Sequence, residues 1–283
     1  IDGDIFPNPI GSARGLVFTR NSYTFMALPG VPSEMEAMVL ETIIPWIKKN
    51  KSSKKIYSAI LRTTGEGESN LIENHSDVFN SKHNCYIGYY PSLYGVDIRF
   101  SSFIKSKMEN FKKTLLNSLG DKVYAQEKID LEEVVIRSFQ KKKITISTAE
   151  SCTGGLISHR LTQVSGSSNV YLGGIIAYSN ISKIENLFVD KDDLDKHGAV
   201  SEKVALQMAD GVREKFKSSV GISTTGIAGP ISDDSTKKVG LVYIGISTEN
   251  KQYVTKVQYG ANRKANKIRT SQSALNILRN LHI

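Results

Sequence analysis

The 283-residue sequence predicts an α/β fold whose C-terminal part is a three-layer domain, with a mainly parallel sheet between helices. Two observations lead to this prediction. From about residue 126 onward, helical patterns alternate regularly with short apolar strand patterns. Three of these strand patterns end in polar or glycine-rich loops, which is where open parallel sheets bind ligands. The preceding patterns indicate a small α+β domain and a partial α/β segment.

The predicted domain boundaries follow these patterns. Residues 1–50 hold two strand patterns and one helix, too little for an independent domain, and are interpreted as the end of a larger one. Residues 51–125 form the α+β unit, interpreted as a spacer or a dimerisation module. The apolar positions of its long helix are Met108, Phe111, Leu115 and Leu119. Residues 126–283 form the α/β domain.

The elements of the C-terminal part are predicted in order from apolar periodicity. The predicted strands are Ile144–Thr148, Gly174–Tyr178, Val220–Thr224, Gly240–Ser247 and Tyr253–Gln258. The predicted helices are Leu131–Gln140, Gly155–Thr162, Ser201–Phe216 and a last one from about Arg263. In the third helix, Val204, Met208, Val212 and Phe216 form one apolar stripe.

Composition narrows the classes of function. The net charge of +9 suits an anionic partner, either nucleic acid or a phosphorylated small molecule, although a lysine-rich solvated surface explains it equally well. No aromatic residues interleave with the basic ones, so nucleic acid is not the expected partner. Cys85 and Cys152 are far apart, and a reducing cytoplasm fits them better than a disulfide framework. Neither a membrane-spanning run nor a metal-ligand spacing appears in the sequence.

The candidate site lies in three loops that follow strands, at Glu150–Gly155, Tyr178–Lys183 and Thr225–Pro230. If the strands are neighbours, these loops meet at one edge of the sheet and bring together a serine, a lysine, a tyrosine and free backbone N–H groups. A hydroxyl nucleophile, an amine base and oxyanion donors are the components of an amide hydrolase that uses neither metal nor histidine. A lysine acts as such a base only if its pKa is lowered towards neutrality.

Structural explanations exist for the same residues. Ser151 or Thr153 could be the N-cap of the following helix. Lys183 could be an exposed lysine at the start of a helix, and Tyr178 could pack as an aromatic residue at a strand end. Gly226 and Gly229 could serve turn geometry alone. Cys152 is a rival nucleophile, but no histidine accompanies it, which favours a small packed thiol.

Four stretches of the C-terminal part resemble the C-terminal domain of the CinA family, the nicotinamide mononucleotide (NMN) deamidases. They are TAESCTGGLISHRLTQVSGSSNVYLGGIIAYSNISKIENLFV, HGAVSEKVALQMADGV, TTGIAGP and VGLVYIGIST. The stretch PNPIGSARGLVF with LPGVPSEMEAM is similar to the end of the molybdopterin-binding-like domain that CinA proteins carry first. The stretch LRTTGEGESNL and the strands after it resemble the KH-like domain between the two.

The resemblance implies hydrolysis of the carboxamide of NMN to nicotinate mononucleotide and ammonia, a step of pyridine nucleotide recycling that needs no cofactor. It makes Ser151 the nucleophile and Lys183 the general base, with Tyr178 assisting proton transfer or positioning the amide. The implied contacts to the rest of the substrate come from Glu150, Thr153, Gly154, Gly155, Asn180, Thr225, Gly226, Gly229 and Arg263, the last as the candidate for the 5′-phosphate. A cytoplasmic homodimer is the expected form.

Besides nucleic-acid binding through the basic C-terminal part and the KH-like unit, two other functions remain open on the sequence. One is a non-catalytic binding protein associated with competence or DNA damage, as the family's name suggests. The other is an ADP-ribose pyrophosphatase, linked in the family with the first domain and expected only if the native protein has more of that domain than residues 1–50 provide.

Overall fold

The computed structural model describes residues 3–21, 23–50, 54–232 and 237–281, and the chain forms two compact units, residues 1–55 and 56–283. The first unit contains an antiparallel sheet of strands β1 (Gly3–Phe6), β2 (Gly15–Arg20) and β3 (Tyr23–Ala27). Helices α1 (Pro32–Met38) and α2 (Ile44–Asn50) follow, joined by a π-helical turn at Val39–Ile43. Its small core consists of Phe6, Val17, Met38 and Ile43.

The second unit begins with a four-stranded antiparallel sheet, called here the middle sheet. In spatial order its strands are β5 (Tyr86–Pro91), β6 (Val96–Ser102), β4 (Tyr57–Thr63) and β7 (Val123–Ala125). Its helices are α3 (Glu68–Asn74), α4 (Ser76–Phe79) and α5 (Lys105–Leu119). All four predicted apolar positions of α5 are buried, which confirms its stripe. The sequence analysis did not find β7, since three residues are too few to show a period.

The C-terminal sheet has five strands in the order β12-β11-β10-β8-β9. Their bounds are β8 (Ile146–Glu150), β9 (Tyr171–Ile176), β10 (Val220–Gly226), β11 (Leu241–Thr248) and β12 (Gln252–Gln258). Strand β8 pairs in parallel with β9 and β10, whereas β11 pairs antiparallel with β10 and β12. The predicted α/β class is confirmed, but the sheet is mixed rather than mainly parallel. The three-residue connection from β11 to β12 is too short for a parallel crossover.

Helices cover both faces of this sheet, as predicted for three layers. They are α6 (Leu131–Lys142), α7 (Leu156–Thr162), α8 (Asn180–Leu187), α9 (Lys191–His197), α10 (Glu202–Phe216) and α11 (Arg263–Arg279). One core joins α6, α7 and α11 to the sheet through residues such as Ile146 and Ile222, and the other joins α8, α9 and α10 through Ala149. Strand β8 is buried along its whole length because both of its faces are covered.

The parallel strands place the candidate loops together. Glu150, the last residue of β8, lies opposite Thr224 of β10 and Ile176 of β9. The carboxyl ends of these three strands therefore share one edge, and the prediction that their loops meet there is confirmed. No helix in the described part of the chain is long and apolar enough to cross a membrane.

Candidate active site

Ser151 is fixed by its backbone and leaves its hydroxyl unused. Its N–H donates to Thr224 O at 2.9 Å, and the preceding carbonyl, Glu150 O, accepts from Ala177 N at 2.9 Å. Strand β10 and the residue that follows β9 thus hold the peptide that carries Ser151. The side chain is half-buried, and its Oγ makes no hydrogen bond within the described residues. A hydroxyl held in this way is free to react with a ligand.

Glu150, rather than either hydroxyl residue, caps helix α7. Its carboxylate accepts hydrogen bonds from Ile157 N at 3.1 Å, Ser158 N at 2.8 Å and Ser158 Oγ at 2.6 Å. Gly155 occupies the N-cap position itself, with a positive φ of 89° that favours glycine. The alternative that Ser151 or Thr153 is the N-cap is therefore wrong. Glu150 is 0% exposed, so this geometry gives its predicted contact with substrate no support.

Glu150→Gln is expected to destabilise the protein by about 2 kcal/mol. The carboxylate oxygens accept hydrogen bonds from Ile157 and Ser158, and the substitution replaces one oxygen by an NH2 group, which accepts no hydrogen bond. The measurement is urea-induced unfolding at neutral pH. Glu202→Gln is the matched control, because Glu202 is an exposed acid in the first turn of α10, and it should change the free energy of unfolding by less than about 0.5 kcal/mol. Equal effects of the two substitutions would contradict the structural role of Glu150.

Lys183 is buried, with 2% of its surface exposed. It lies in helix α8. The N-cap of this helix is Ser179, and the Ser179 Oγ accepts a hydrogen bond from Ser182 N at 3.1 Å. The Lys183 amine donates to Ala177 O at 3.0 Å and Tyr178 O at 3.5 Å. Burial away from water lowers the pKa of Lys183, and the nearby Cys152 thiol opposes this in part. The alternative of an exposed lysine is wrong, and the pKa of the amine is shifted in the direction that a general base requires.

The structure brings Ser151 and Lys183 to the same strand ends without joining them. Ala177 lies beside both, since its N–H donates to the carbonyl of Glu150, the residue before Ser151, and its own carbonyl accepts from Lys183 Nζ. Within the described residues, however, no hydrogen bond connects Ser151 Oγ and Lys183 Nζ. In structures without substrate, catalytic hydrogen bonds are often long or poorly aligned.

Cys152, the rival nucleophile, is buried as predicted for a packed thiol. Burial raises its pKa to about 12, although Thr224 hydrogen-bonds to it. A thiol with such a pKa carries almost no thiolate at neutral pH, and the thiolate is the nucleophilic form. Of the two neighbouring residues, Ser151 is therefore the better candidate for the nucleophile.

Tyr178 is exposed and is held by Arg263. Its side chain is 62% exposed, so the alternative of a packed aromatic residue is wrong. Arg263 Nη2 donates to Tyr178 Oη at 2.7 Å, and Nη1 of the same guanidinium donates to Gly229 O at 3.0 Å. Arg263 therefore ties together the loops that follow β9 and β10. Since the tyrosine oxygen accepts from Arg263, its own proton is available to a ligand.

The other predicted residues divide into buried and accessible positions. Thr225 is buried, and its hydroxyl donates to Ala199 O at 2.6 Å. A Cβ on Gly226 would lie 2.6 Å from a methyl group of Val242, so this glycine serves close packing. Asn180, by contrast, is exposed at the start of α8.

The turn after Ser151 contains backbone N–H groups that have no acceptor among the described residues. Gly154 N donates to Ser151 O at 3.1 Å and so closes a turn. In the part of the chain that the structure describes, the N–H groups of Thr153 and Gly155 donate to no acceptor, whereas the Thr153 side chain is buried against Thr224 Oγ1 at 2.7 Å. The free N–H groups of Thr153 and Gly155, two and four residues beyond Ser151, suit the stabilisation of an oxyanion.

A cavity of about 650 Å³ extends from Gly154 and Gly155. Its lining includes His159 of α7, Tyr94 of the middle sheet, and Arg263, Lys264 and Lys267 of α11. None of the described residues that line it is a carboxylate. Lys264 and Lys267 form no ion pair or hydrogen bond within the described residues. The cavity is therefore suited to an anionic group.

Tyr94, Lys264 and Lys267 were missed in the sequence analysis. Lys267 had a usable signal, because it lies one helical turn after Arg263 and so on the same face. Tyr94 had none. Nowhere among the described residues do three or more His, Cys, Asp or Glu side chains group as metal ligands would.

Comparison with known proteins decides the family. Residues 128–282 match the family model described as the CinA C-terminal domain. The chain belongs to the CinA family. A competence-damage inducible protein of Clostridium botulinum (strain Okra / Type B1) is 38% identical over 98% of this chain and 69% of its own length. A relative of the same name from Caldicellulosiruptor bescii is 39% identical over 97% of this chain and 68% of its own length.

Solved CinA structures share the fold. The competence/damage inducible protein CihA from Agrobacterium tumefaciens is 37% identical with a TM-score of 0.51, matching 52% of this chain and 91% of its own. A CinA superfamily protein from Escherichia coli, at 24% identity and a TM-score of 0.53, matches 58% of this chain and 98% of its own.

Proposed function

We propose that this CinA protein is an amidohydrolase that converts NMN to nicotinate mononucleotide and ammonia. The observation that carries the proposal is the buried amine of Lys183, whose pKa is lowered, at the same sheet edge as the unused hydroxyl of Ser151. Desolvation favours the neutral form of a lysine, and that form can take a proton from an alcohol. Both features are needed for this chemistry.

The proposed reaction has two halves. Ser151 Oγ attacks the carboxamide carbon while its proton passes to Lys183 Nζ, which turns from the carbonyls of Ala177 and Tyr178. The N–H groups of Thr153 and Gly155 bind the oxyanion. Lys183 then gives the proton to the departing nitrogen, the C–N bond breaks, and ammonia leaves while the acyl group remains as an ester on Ser151. Water, deprotonated by Lys183, cleaves the ester to the carboxylate and regenerates Ser151.

Tyr178 and Arg263 position the amide in this proposal. Arg263 fixes the tyrosine oxygen, so the phenol proton can be donated to the amide or the leaving nitrogen. Arg263 remains a candidate for the 5′-phosphate, and it shares the cavity with Lys264 and Lys267. A phosphate group bound there gains from three cations on one helix. No cofactor is needed, and a cytoplasmic homodimer stays a prediction.

The test is ammonia release from NMN by the purified protein, followed by a coupled assay together with formation of nicotinate mononucleotide. We expect turnover with kcat of about 1–10³ s⁻¹, the ordinary range for enzymes. A folded protein that releases no ammonia would remove the amidase proposal. It would favour the second candidate, a non-catalytic protein associated with competence or DNA damage, which has the names of the relatives in its support.

A further inference from the structure

The middle sheet reaches the cavity that borders Gly154 and Gly155 of the candidate active site. Its β5–β6 hairpin turns at Ser92–Gly95, where Ser92 N donates to Gly95 O at 2.8 Å. Tyr94, in this turn, lines the cavity together with Gly154, His159 and Lys267. Tyr94, which belongs to the middle sheet's hairpin and not to the C-terminal domain, is thus part of the wall of this cavity.

A buried polar network fixes the hairpin turn against the C-terminal domain. Thr64 Oγ1 donates to Tyr94 O at 3.0 Å and accepts from Gln272 Nε2 of α11 at 3.0 Å. At Gly95, a Cβ would lie 1.9 Å from Thr63 O, so only glycine allows this approach. Polar groups buried with their partners make such a junction rigid and specific.

Arg160 holds the aromatic ring of Tyr94. Its guanidinium carbon lies 4.9 Å from the ring centroid, and the residue is only 6% exposed. Arg160 is held in turn by Glu132 at 2.7 Å, Gln272 at 2.7 Å and Ser271 at 2.9 Å. Arg160 belongs to α7, the helix that begins at the catalytic loop, so the ring and the loop rest on one element.

The Tyr94 hydroxyl is available to a ligand. The residue is 40% exposed, and within the described residues its Oη has no hydrogen-bond partner. Beside it stand the positive side chains that line the cavity, with no carboxylate among the described lining residues.

We propose that Tyr94 is a specificity-determining residue that donates a hydrogen bond to the phosphate of the substrate, which makes the middle sheet part of the substrate site. This rests on the proposed amidase function. It differs from the interpretation of residues 51–125 as a spacer. It also assigns a nucleotide-selective contact outside the C-terminal domain.

The test compares two amides, NMN and nicotinamide riboside, which lacks the phosphate. Tyr94→Phe keeps the ring over Arg160 and removes only the donor. We expect it to raise the KM for NMN about tenfold, the effect of one hydrogen bond to a charged group, with kcat and the kinetics of the riboside within twofold of wild type. Tyr90→Phe is the control, because Tyr90 lies in the same hairpin beneath Arg99 and does not line the cavity. An unchanged KM for NMN, or an equal rise for both amides, would overturn the proposal.

Calorimetric titration with ribose 5-phosphate separates this proposal from the amidase function. If the wild type releases no ammonia from NMN, the amidase function fails, and the role of Tyr94 is decided by this probe alone. About tenfold weaker binding by Tyr94→Phe than by wild type supports the phosphate contact. Equal binding by the two proteins, or no binding to wild type, overturns it.

Discussion

Ser151→Ala is expected to lower kcat for NMN by about 10³-fold or more, because the substitution removes the nucleophile and leaves only substrate binding and the oxyanion donors. The KM or the equilibrium affinity for NMN should change little. The hydroxyl makes no hydrogen bond within the described residues, so the free energy of unfolding should stay within about 0.5 kcal/mol of wild type. Steady-state ammonia release and urea unfolding measure these two quantities.

Cys152→Ala is the matched control for the nucleophile. The thiol is buried with a pKa of about 12 and should be dispensable, so this variant should keep kcat within a few-fold of wild type. A Ser151→Ala protein that keeps more than a tenth of wild-type kcat would rule out Ser151 as the nucleophile. Loss of activity in folded Cys152→Ala would shift the assignment to the thiol.

Lys183→Met is expected to lower kcat by about 10³-fold, within the range for loss of a general base. Lys183→Arg should be equally inactive, since a guanidinium stays protonated at all working pH values. Lys113→Met, at an exposed position of α5, is the control and should match wild type. Substantial activity in Lys183→Arg would contradict a role for Lys183 as a base.

Lys183→Met should also change how the free energy of unfolding depends on pH. Burial lowers the pKa of Lys183 in the folded protein below its ordinary value of 10.5, so between the two pKa values the unfolded chain binds more protons. The free energy of unfolding of wild type therefore rises with pH through that window. Relative to wild type, Lys183→Met should be most stable below the folded pKa and should lose this advantage as the pH approaches 10.5. Urea unfolding across this pH range measures the slope of the free energy of unfolding against pH, with Lys113→Met as the control. Parallel curves for wild type and Lys183→Met would refute the predicted pH dependence.

The sequence predicted where the candidate site lies, but it could not predict how buried its residues are. The alternation of strands and helices predicted that Glu150–Gly155, Tyr178–Lys183 and Thr225–Pro230 share one edge, because parallel strands must end together. It could not show that Lys183 is buried. That depends on Ala177 and Cys152, which chain folding brings to the amine.

Long-range contacts account for the other differences. Glu150 caps α7 from the end of a strand, and a capping rule that looks only at the residues flanking the helix selects Ser151 or Thr153 instead. Tyr94 reaches the cavity because Arg160 holds its ring and Gln272 holds its hairpin through Thr64, and no local pattern records such contacts. The antiparallel β11–β12 pair was within reach of the sequence, because its short connection excludes a parallel crossover.

The ionisation of Lys183 in solution tests the central claim most directly. Lysines labelled with ¹³C at Cε can be titrated by NMR, with the Lys183 signal assigned from its absence in Lys183→Arg. The proposed mechanism predicts that this amine loses its proton at a pH below the ordinary lysine value, and that kcat/KM for NMN rises with the same apparent pKa. A Lys183 amine that titrates as an ordinary lysine would contradict the mechanism. A pH profile of kcat/KM that does not follow the titration of Lys183 would contradict it as well.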